Sequence, residues 1–258
     1  MEKEKEKNDK GKVVYHLKNL AIYQSANVDG NDSALKKFSI HVSIDDYNEA
    51  FWRLFSSDLV PAIHPTGSVP TFESDSREKG GVISFSAESV VSLYDHLKKQ
   101  SMLLHYNQAS HLMMNAYTFI ENLEKKNFGI TCFDISDFIV INGQYYVFVN
   151  DGKIVELDNN DRVLVIDEPI QKGEFMSPEL KNLTRIPTRI PKTSTLFSLG
   201  SFVGTMLTGE RLQEEGAKDK KSNDMDSDFI YNIYYTKLYW CIKRCVERNP
   251  KDRGYIYI

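Results

Sequence analysis

The chain has 258 residues, 41% hydrophobic and 12% aromatic, enough to bury one large core or two smaller ones. A formal net charge of −4 and a pI near 5.9 give no cationic footprint for nucleic acid. No apolar run approaches the roughly 20 residues needed to cross a bilayer, so no membrane partner is expected. The charged opening MEKEKEKNDKGK is the opposite of a signal peptide, and residues 1–12 read as a disordered tail. Cys132 stands alone and Cys241 and Cys245 are four apart. That spacing suits neither a disulfide framework nor a zinc motif, and the expected setting is intracellular, cytoplasmic or nuclear.

From Val13 to about Ile83 the pattern is mostly strand with one helix. VVYHLKNL, AIYQSANV and SALKKFSIHV are β-rich runs, the last two separated by the turn DGND. SIDDYNEAFWRLFSS opens on Ser/Asp capping residues and carries Ala50, Leu54 and Phe55 at helical spacing. TGSVPTFESDSREKGG has the composition of a loop, and VISFS that of a short strand. ESVVSLYDHLKKQ and SMLLHYNQASHLMMNAYTFIENLEKKN follow as predicted helices. In the second, Ala109, Leu112, Met113, Ala116, Phe119, Ile120 and Leu123 form one apolar stripe, with Gly129 as its stop.

A β-rich stretch comes next, FIVINGQYYVFVNDGKIVELDNNDRVLVIDEP, punctuated by Asn-Gly, Asn-Asp-Gly and Asp-Asn-Asn-Asp turns. KIVEL and RVLVI read as an ordered hairpin. STLFSLGSFVGTMLTG is apolar nearly all round, the mark of a helix buried inside its domain. ERLQEEGAKDKKSNDMDS reads as a mobile charged loop. DFIYNIYYTKLYWCIKRCVERNP is predicted as one long aromatic-rich helix.

Three motifs carry no chemistry on inspection. Asp167 and Glu168 end a strand as a Walker B pair would, but no G-x-x-x-x-G-K-[ST] accompanies them. DMDSD starts like a calcium loop, yet Phe229 stands where the turn needs glycine. His105 and His111 are six apart on one helix, which brings no two rings to one metal; both read as core or groove histidines.

The order of elements and several strings resemble a eukaryotic-type protein kinase domain across nearly the whole chain. FMSPEL is similar to the family's Ala-Pro-Glu motif, here Ser177, Pro178 and Glu179. LFSLGSFVGTMLTGE resembles the family's central buried helix. CIKRCVERNPKDR resembles the helix and turn that end such domains, which implies a structural ion pair of Arg253 with Glu179. The resemblance implies an α+β, bilobal protein-kinase-like fold, with a small β-rich N-lobe (13–86) and a larger, mainly helical C-lobe (87–258). SALKKFSIHV is similar to the strand carrying the family's nucleotide-binding lysine, which points to Lys36, with Glu49 as the helix glutamate that orients it. A lysine at the end of a solvated strand reads equally well at Lys36.

The catalytic parts depart from the family. Phosphoryl transfer needs a glycine-rich turn on the nucleotide, Mg²⁺ held by an aspartate and an asparagine, and a base near the acceptor hydroxyl. HLKNLAIYQSANV contains no glycine. The family's His-Arg-Asp reads Cys132-Phe133-Asp134, so only the candidate base Asp134 remains. Phe138 falls on the metal-binding asparagine and cannot ligate magnesium. Asp-Phe-Gly falls on Asn150-Asp151-Gly152, where Asp151 is the one candidate metal ligand and an ordinary hairpin turn is the favoured reading. Thr195 replaces the aspartate that clamps the catalytic loop. Asp134 on this reading is a vestigial loop residue kept as structure.

The first reading is a pseudokinase, a protein-kinase-like regulatory module that binds other proteins. The alternative is an atypical active serine/threonine kinase using ATP and Mg²⁺ through Lys36, Asp134 and Asp151. A third is a kinase-derived subunit with no nucleotide pocket. The Lys/Asn/Ile/Tyr-rich usage suits a viral or parasite kinase-like protein.

Overall fold

The structure, a computed structural model, describes residues 11–17, 20–25, 36–42, 52, 55, 71–75, 80–212 and 227–258, and only the backbone at 71–75, 80–81 and 227–228. Residues 1–10 of the predicted N-terminal tail, the DGND turn, Glu49 and nearly all of the charged loop before Ser227 lie outside the described residues, whereas Lys12, the last residue of that tail, opens a strand. The chain forms two compact units, Met1–His96 with Phe138–Asp151, and Leu97–Asp137 with Gly152–Ile258.

The first unit is built on a five-stranded antiparallel sheet of β1 (Lys12–Leu17), β2 (Leu20–Gln24), β3 (Lys36–Val42), β4 (Thr71–Asp75) and β5 (Gly80–Ala87), in the order β1-β2-β3-β5-β4. In β3 the alternation KKFSIHV buries Phe38, Ile40 and Val42, and the register sets Phe38 opposite Phe85 and Ile40 opposite Ile83. Trp52 and Phe55, both helical and both buried, meet edge to face at 4.9 Å. β4 corrects the sequence reading, which made this stretch a loop. Among the described residues it pairs with β5 alone, at the edge of the sheet, so it can form without the apolar alternation that marks an inner strand.

A small sheet completes this unit: β6 (Val90–Ser92), β8 (Phe138–Ile141) and β9 (Tyr145–Phe148), ordered β6-β8-β9. Asn142 and Gly143 turn β8 into β9 with φ of 53° and 72°, the left-handed pair that an Asn-Gly hairpin turn requires. β6 is a second correction: Val90–Ser92 was expected to be helical. Its backbone pairs with β8, and only Leu93–Lys98 (α1) is helix.

In the second unit α2 (Tyr106–Glu124) buries Ala109, Leu112, Met113, Ala116, Ile120 and Leu123, while Phe119 is half-buried. Gly129 is not its stop. The helix ends at Glu124, the left-handed Asn127 follows, and Gly129 lies in β7 (Phe128–Ile130). A Cβ on Gly129 would stand 2.2 Å from Leu164 Cδ2, so the glycine serves close packing. β7 joins β10 (Ile154–Asp158), β11 (Val163–Ile166) and β12 (Thr188–Pro191) in the order β12-β11-β10-β7. The hairpin expected from KIVEL and RVLVI is therefore present, with two further strands beside it.

The short helix α3 (Pro178–Lys181) starts at Ser177, whose hydroxyl accepts the Leu180 N–H. α4 (Ser194–Thr208) is buried nearly all round and stops at Gly209, φ 76°. α5 (Lys237–Cys245) is shorter than expected. The predicted long helix breaks into a 3₁₀ segment, Ser227–Ile233, and a separate helix that Thr236 caps by accepting the Tyr239 N–H. His105 and His111 are both exposed, so neither is a core histidine. Among the described residues no helix is long and apolar enough to cross a membrane.

Candidate active site

Asp134 follows β7 and opens a 3₁₀ turn, Ile135–Asp137. The turn forms because Asp137 reaches back: its Oδ2 accepts the Asp134 N–H at 2.7 Å, while the Asp137 N–H donates to the Asp134 carbonyl at 3.1 Å. Asp137 is fully buried, and a buried carboxylate needs a cation. Lys153 supplies it. Its Nζ donates to Asp137 Oδ2 at 2.7 Å and to Asp134 Oδ2 at 3.1 Å. The Lys153 and Asp137 side chains are 3% and 0% exposed, and that of Asp134 is 22% exposed. Burial alone would lower the Lys153 pKa; the Asp137 carboxylate, with Asp134, outweighs it and holds the ammonium above its ordinary value. Next to it, burial pushes the Cys132 thiol up to about 11, so it stays protonated. Neither Asp137 nor Lys153 was singled out from the sequence. The Asp-x-x-Asp turn spacing was a usable signal for the first; nothing local marks the second.

The segment 171–174 lies against this group. The Cys132 thiol donates to the Gln171 carbonyl at 3.9 Å, and the Glu174 N–H donates to the Asp134 carboxylate at 3.3–3.4 Å. A Cβ on Gly173 would sit 2.6 Å from Cys132 Sγ and 2.7 Å from Asp134 Oδ2, so only glycine lets the backbone pass there. The Glu174 side chain is tied outward to Arg211 at 2.5 Å.

From the other side α4 holds the loop. Ser198 Oγ accepts the Phe133 N–H at 2.8 Å, and Thr195 Oγ1 donates to the Ile130 carbonyl at 2.5 Å. Thr195 stands where the resemblance places a clamping aspartate, and Ser198, one turn further along, was missed. Phe133 is fully buried and faces Phe202, with ring centroids 6.5 Å apart. Phe138 is buried against Phe148, with centroids 5.7 Å apart.

Asn150-Asp151-Gly152 is not a hairpin turn, which corrects the favoured sequence reading. β9 before it pairs with β8, β10 after it pairs with β7 and β11, and residues 151–153 form a 3₁₀ turn. The two flanking strands belong to different sheets, so a turn that pairs neighbours has nothing to pair. Asp151 is buried, and its Oδ2 accepts the Trp52 indole N–H at 3.0 Å. Lys36 opens β3 opposite Ala87 and is half-buried.

The structure brings Glu179 and Arg253 together as a two-point pair, Nη2 to Oε1 at 2.8 Å and Nη1 to Oε2 at 3.0 Å. Arg253 Nε also donates to the Glu247 carbonyl at 2.7 Å, the guanidinium lies 4.8 Å from the Phe197 ring centre, and Ser194 Oγ donates to Glu179 Oε2 at 3.3 Å. Burial would raise the Glu179 pKa; its hydrogen bonds and charge pairing with Arg253 win, and the carboxyl is held below its usual range.

Compared with protein-family models and with curated proteins, the sequence finds no match. Solved structures do match. The autoinhibited serine kinase domain of the giant muscle protein titin superposes with a TM-score of 0.58 at 13% identity, over 95% of this chain and 75% of that one. A structure of titin kinase and its flanking domains gives 0.56 at 11% identity, over 95% of this chain and 44% of the longer one. Identities this low speak for the fold alone, and on these grounds the chain has a protein-kinase-like fold, α+β in class.

Proposed function

We propose that this chain is a pseudokinase, a kinase-like module inside the cell that acts by binding other proteins and does not transfer phosphate. The observation that carries the reading is the link between β1 and β2. Leu17 pairs with Leu20, so only two residues, neither of them glycine, join the strands. A phosphate cradle needs a run of backbone N–H groups free of side chains, and a two-residue connection lacks the length for one. The state of Asp134 supports the same reading: Lys153 and the Glu174 N–H already occupy its carboxylate. A magnesium ion does not fit between Asp134 and Asp137 while the Lys153 ammonium stands there.

The alternative, an atypical serine/threonine kinase, keeps one observation in its favour: the Asp134 side chain remains 22% exposed and is charge-balanced by a lysine. Two measurements separate the readings. Thermal unfolding with about 1 mM ATP, with and without Mg²⁺, should show no shift, because only a ligand that binds the native state raises its stability. Phosphate incorporation into a generic acceptor protein should stay at background. Magnesium-dependent incorporation by the wild type, lost in Asp134→Asn, would overturn the proposal, since removing a general base costs about 10²–10⁴ in rate.

A further inference from the structure

We infer that the Lys153 ammonium is a built-in cation, which holds together and partly offsets the charge of the two carboxylates of the Asp134–Asp137 turn in place of a dissociable divalent metal. The inference deepens the pseudokinase reading and rests on it for the site's identity, but its geometry is independent of that reading. Two carboxylate oxygens from one turn, Asp137 Oδ2 and Asp134 Oδ2, converge on a single point, and that point is Nζ, at 2.7 and 3.1 Å. A calcium or manganese ion at this point would need contacts of about 2.0–2.6 Å, so the Asp134 oxygen would have to close in by about 0.5–1 Å, with water completing the shell. The locus therefore has the charge and nearly the size for a divalent ion, and a tethered ammonium fills it.

Tethering has a consequence for geometry. A bound ion leaves when its concentration falls; Lys153 cannot. It ends the 3₁₀ turn just before β10, two residues after Asp151, and its carbonyl accepts the Thr131 N–H at 3.0 Å, so a backbone hydrogen bond fixes the base of the side chain. The packing above it is equally tight, because a Cβ on Gly173 would stand 3.3 Å from Nζ. The charged and titratable groups facing the ammonium are Asp134, Asp137 and Cys132, and the thiol is protonated, which leaves two negative charges against one tethered positive charge. Removing the lysine side chain would leave those two charges facing an empty space of ion size.

The test uses the full chain and metal ions alone. Lys153→Ala should melt below the wild type in chelator-treated buffer, and Mn²⁺ at ten times its dissociation constant should raise that melting temperature by about 3–5 °C. Mn²⁺ electron paramagnetic resonance should register the bound ion in Lys153→Ala. Adding Asp137→Asn to Lys153→Ala should abolish both signals, while the wild type and Lys153→Arg should respond to neither. If Lys153→Ala is recovered unfolded, refolding with Mn²⁺ should restore the far-ultraviolet circular dichroism of the wild type. The inference is overturned if folded Lys153→Ala ignores Mn²⁺, if Mn²⁺ fails to restore an unfolded one, or if the wild type binds the ion at Asp137 to the same extent. These outcomes are separate from the phosphate-incorporation assay, which judges the pseudokinase reading by itself.

Discussion

Arg253 has a side chain with no solvent exposure, and its charge is met by Glu179, which keeps 20% of its own. Breaking such a pair leaves a buried charge without compensation, a loss of about 3–5 kcal/mol. Because Glu179 retains some water, Arg253→Met should fall near the lower end of that range in a urea unfolding midpoint. The pair also has a pH signature. A carboxyl held below its unfolded value of 4.5 contributes stability that is fully present above that pH and lost as pH falls through the lower folded value. Glu179→Gln should remove this component, so its stability should fall less steeply than that of the wild type below about pH 4.5. Lys153 has the opposite sign. Its folded pKa is raised, so its contribution is fully present below the unfolded value of 10.5 and is lost only as pH rises through the higher folded one.

At the scale of elements, α4 and the segment 171–174 hold the loop that carries Asp134, and each contact can be exchanged one at a time. α4 supplies Ser198 for the Phe133 N–H. Ser198→Ala leaves that buried N–H without its acceptor, a cost of about 1–3 kcal/mol, and should speed hydrogen exchange at the Phe133 amide. The segment 171–174 supplies Gly173, where even a methyl group would meet Cys132 and Asp134 below 3 Å. Gly173→Ala should therefore destabilise by about 1–3 kcal/mol and displace this segment from Asp134. Unchanged stability, together with an unchanged Glu174 amide exchange rate, would show that the segment is loosely seated. β10 and β11, inside a four-stranded sheet, should protect residues 154–158 and 163–166 from exchange without any modification of the chain.

At the scale of the whole molecule, a kinase-like fold persists at 13% identity to a titin kinase domain because its determinants are few and physical. A buried central helix, an edge-to-core ion pair and alternating strands tolerate wide substitution, whereas phosphate and metal chemistry requires particular residues. On the proposed reading, the wild type, Asp134→Asn and Asp151→Asn should all show ATP-dependent thermal shifts at baseline. Asp151→Leu should lower stability even so, because the Trp52 indole N–H loses its acceptor.

The elements legible from the sequence are those with a local period. Phe38, Ile40 and Val42 alternate along one strand, Ala109 to Leu123 stripe one helix, and α4 is apolar nearly all round, so burial could be read without a partner in view. β4, at the sheet edge, and Val90–Ser92, too short to show a period, were not legible in this way. The Glu179–Arg253 pair was reachable through motif order, since both residues stand inside recognisable strings. Lys153 was not, because it lies 16 residues from Asp137 and 19 from Asp134 in the chain. One lysine among many looks alike in sequence, and only the folding of β10 onto β7 decides which ammonium is buried against which carboxylates.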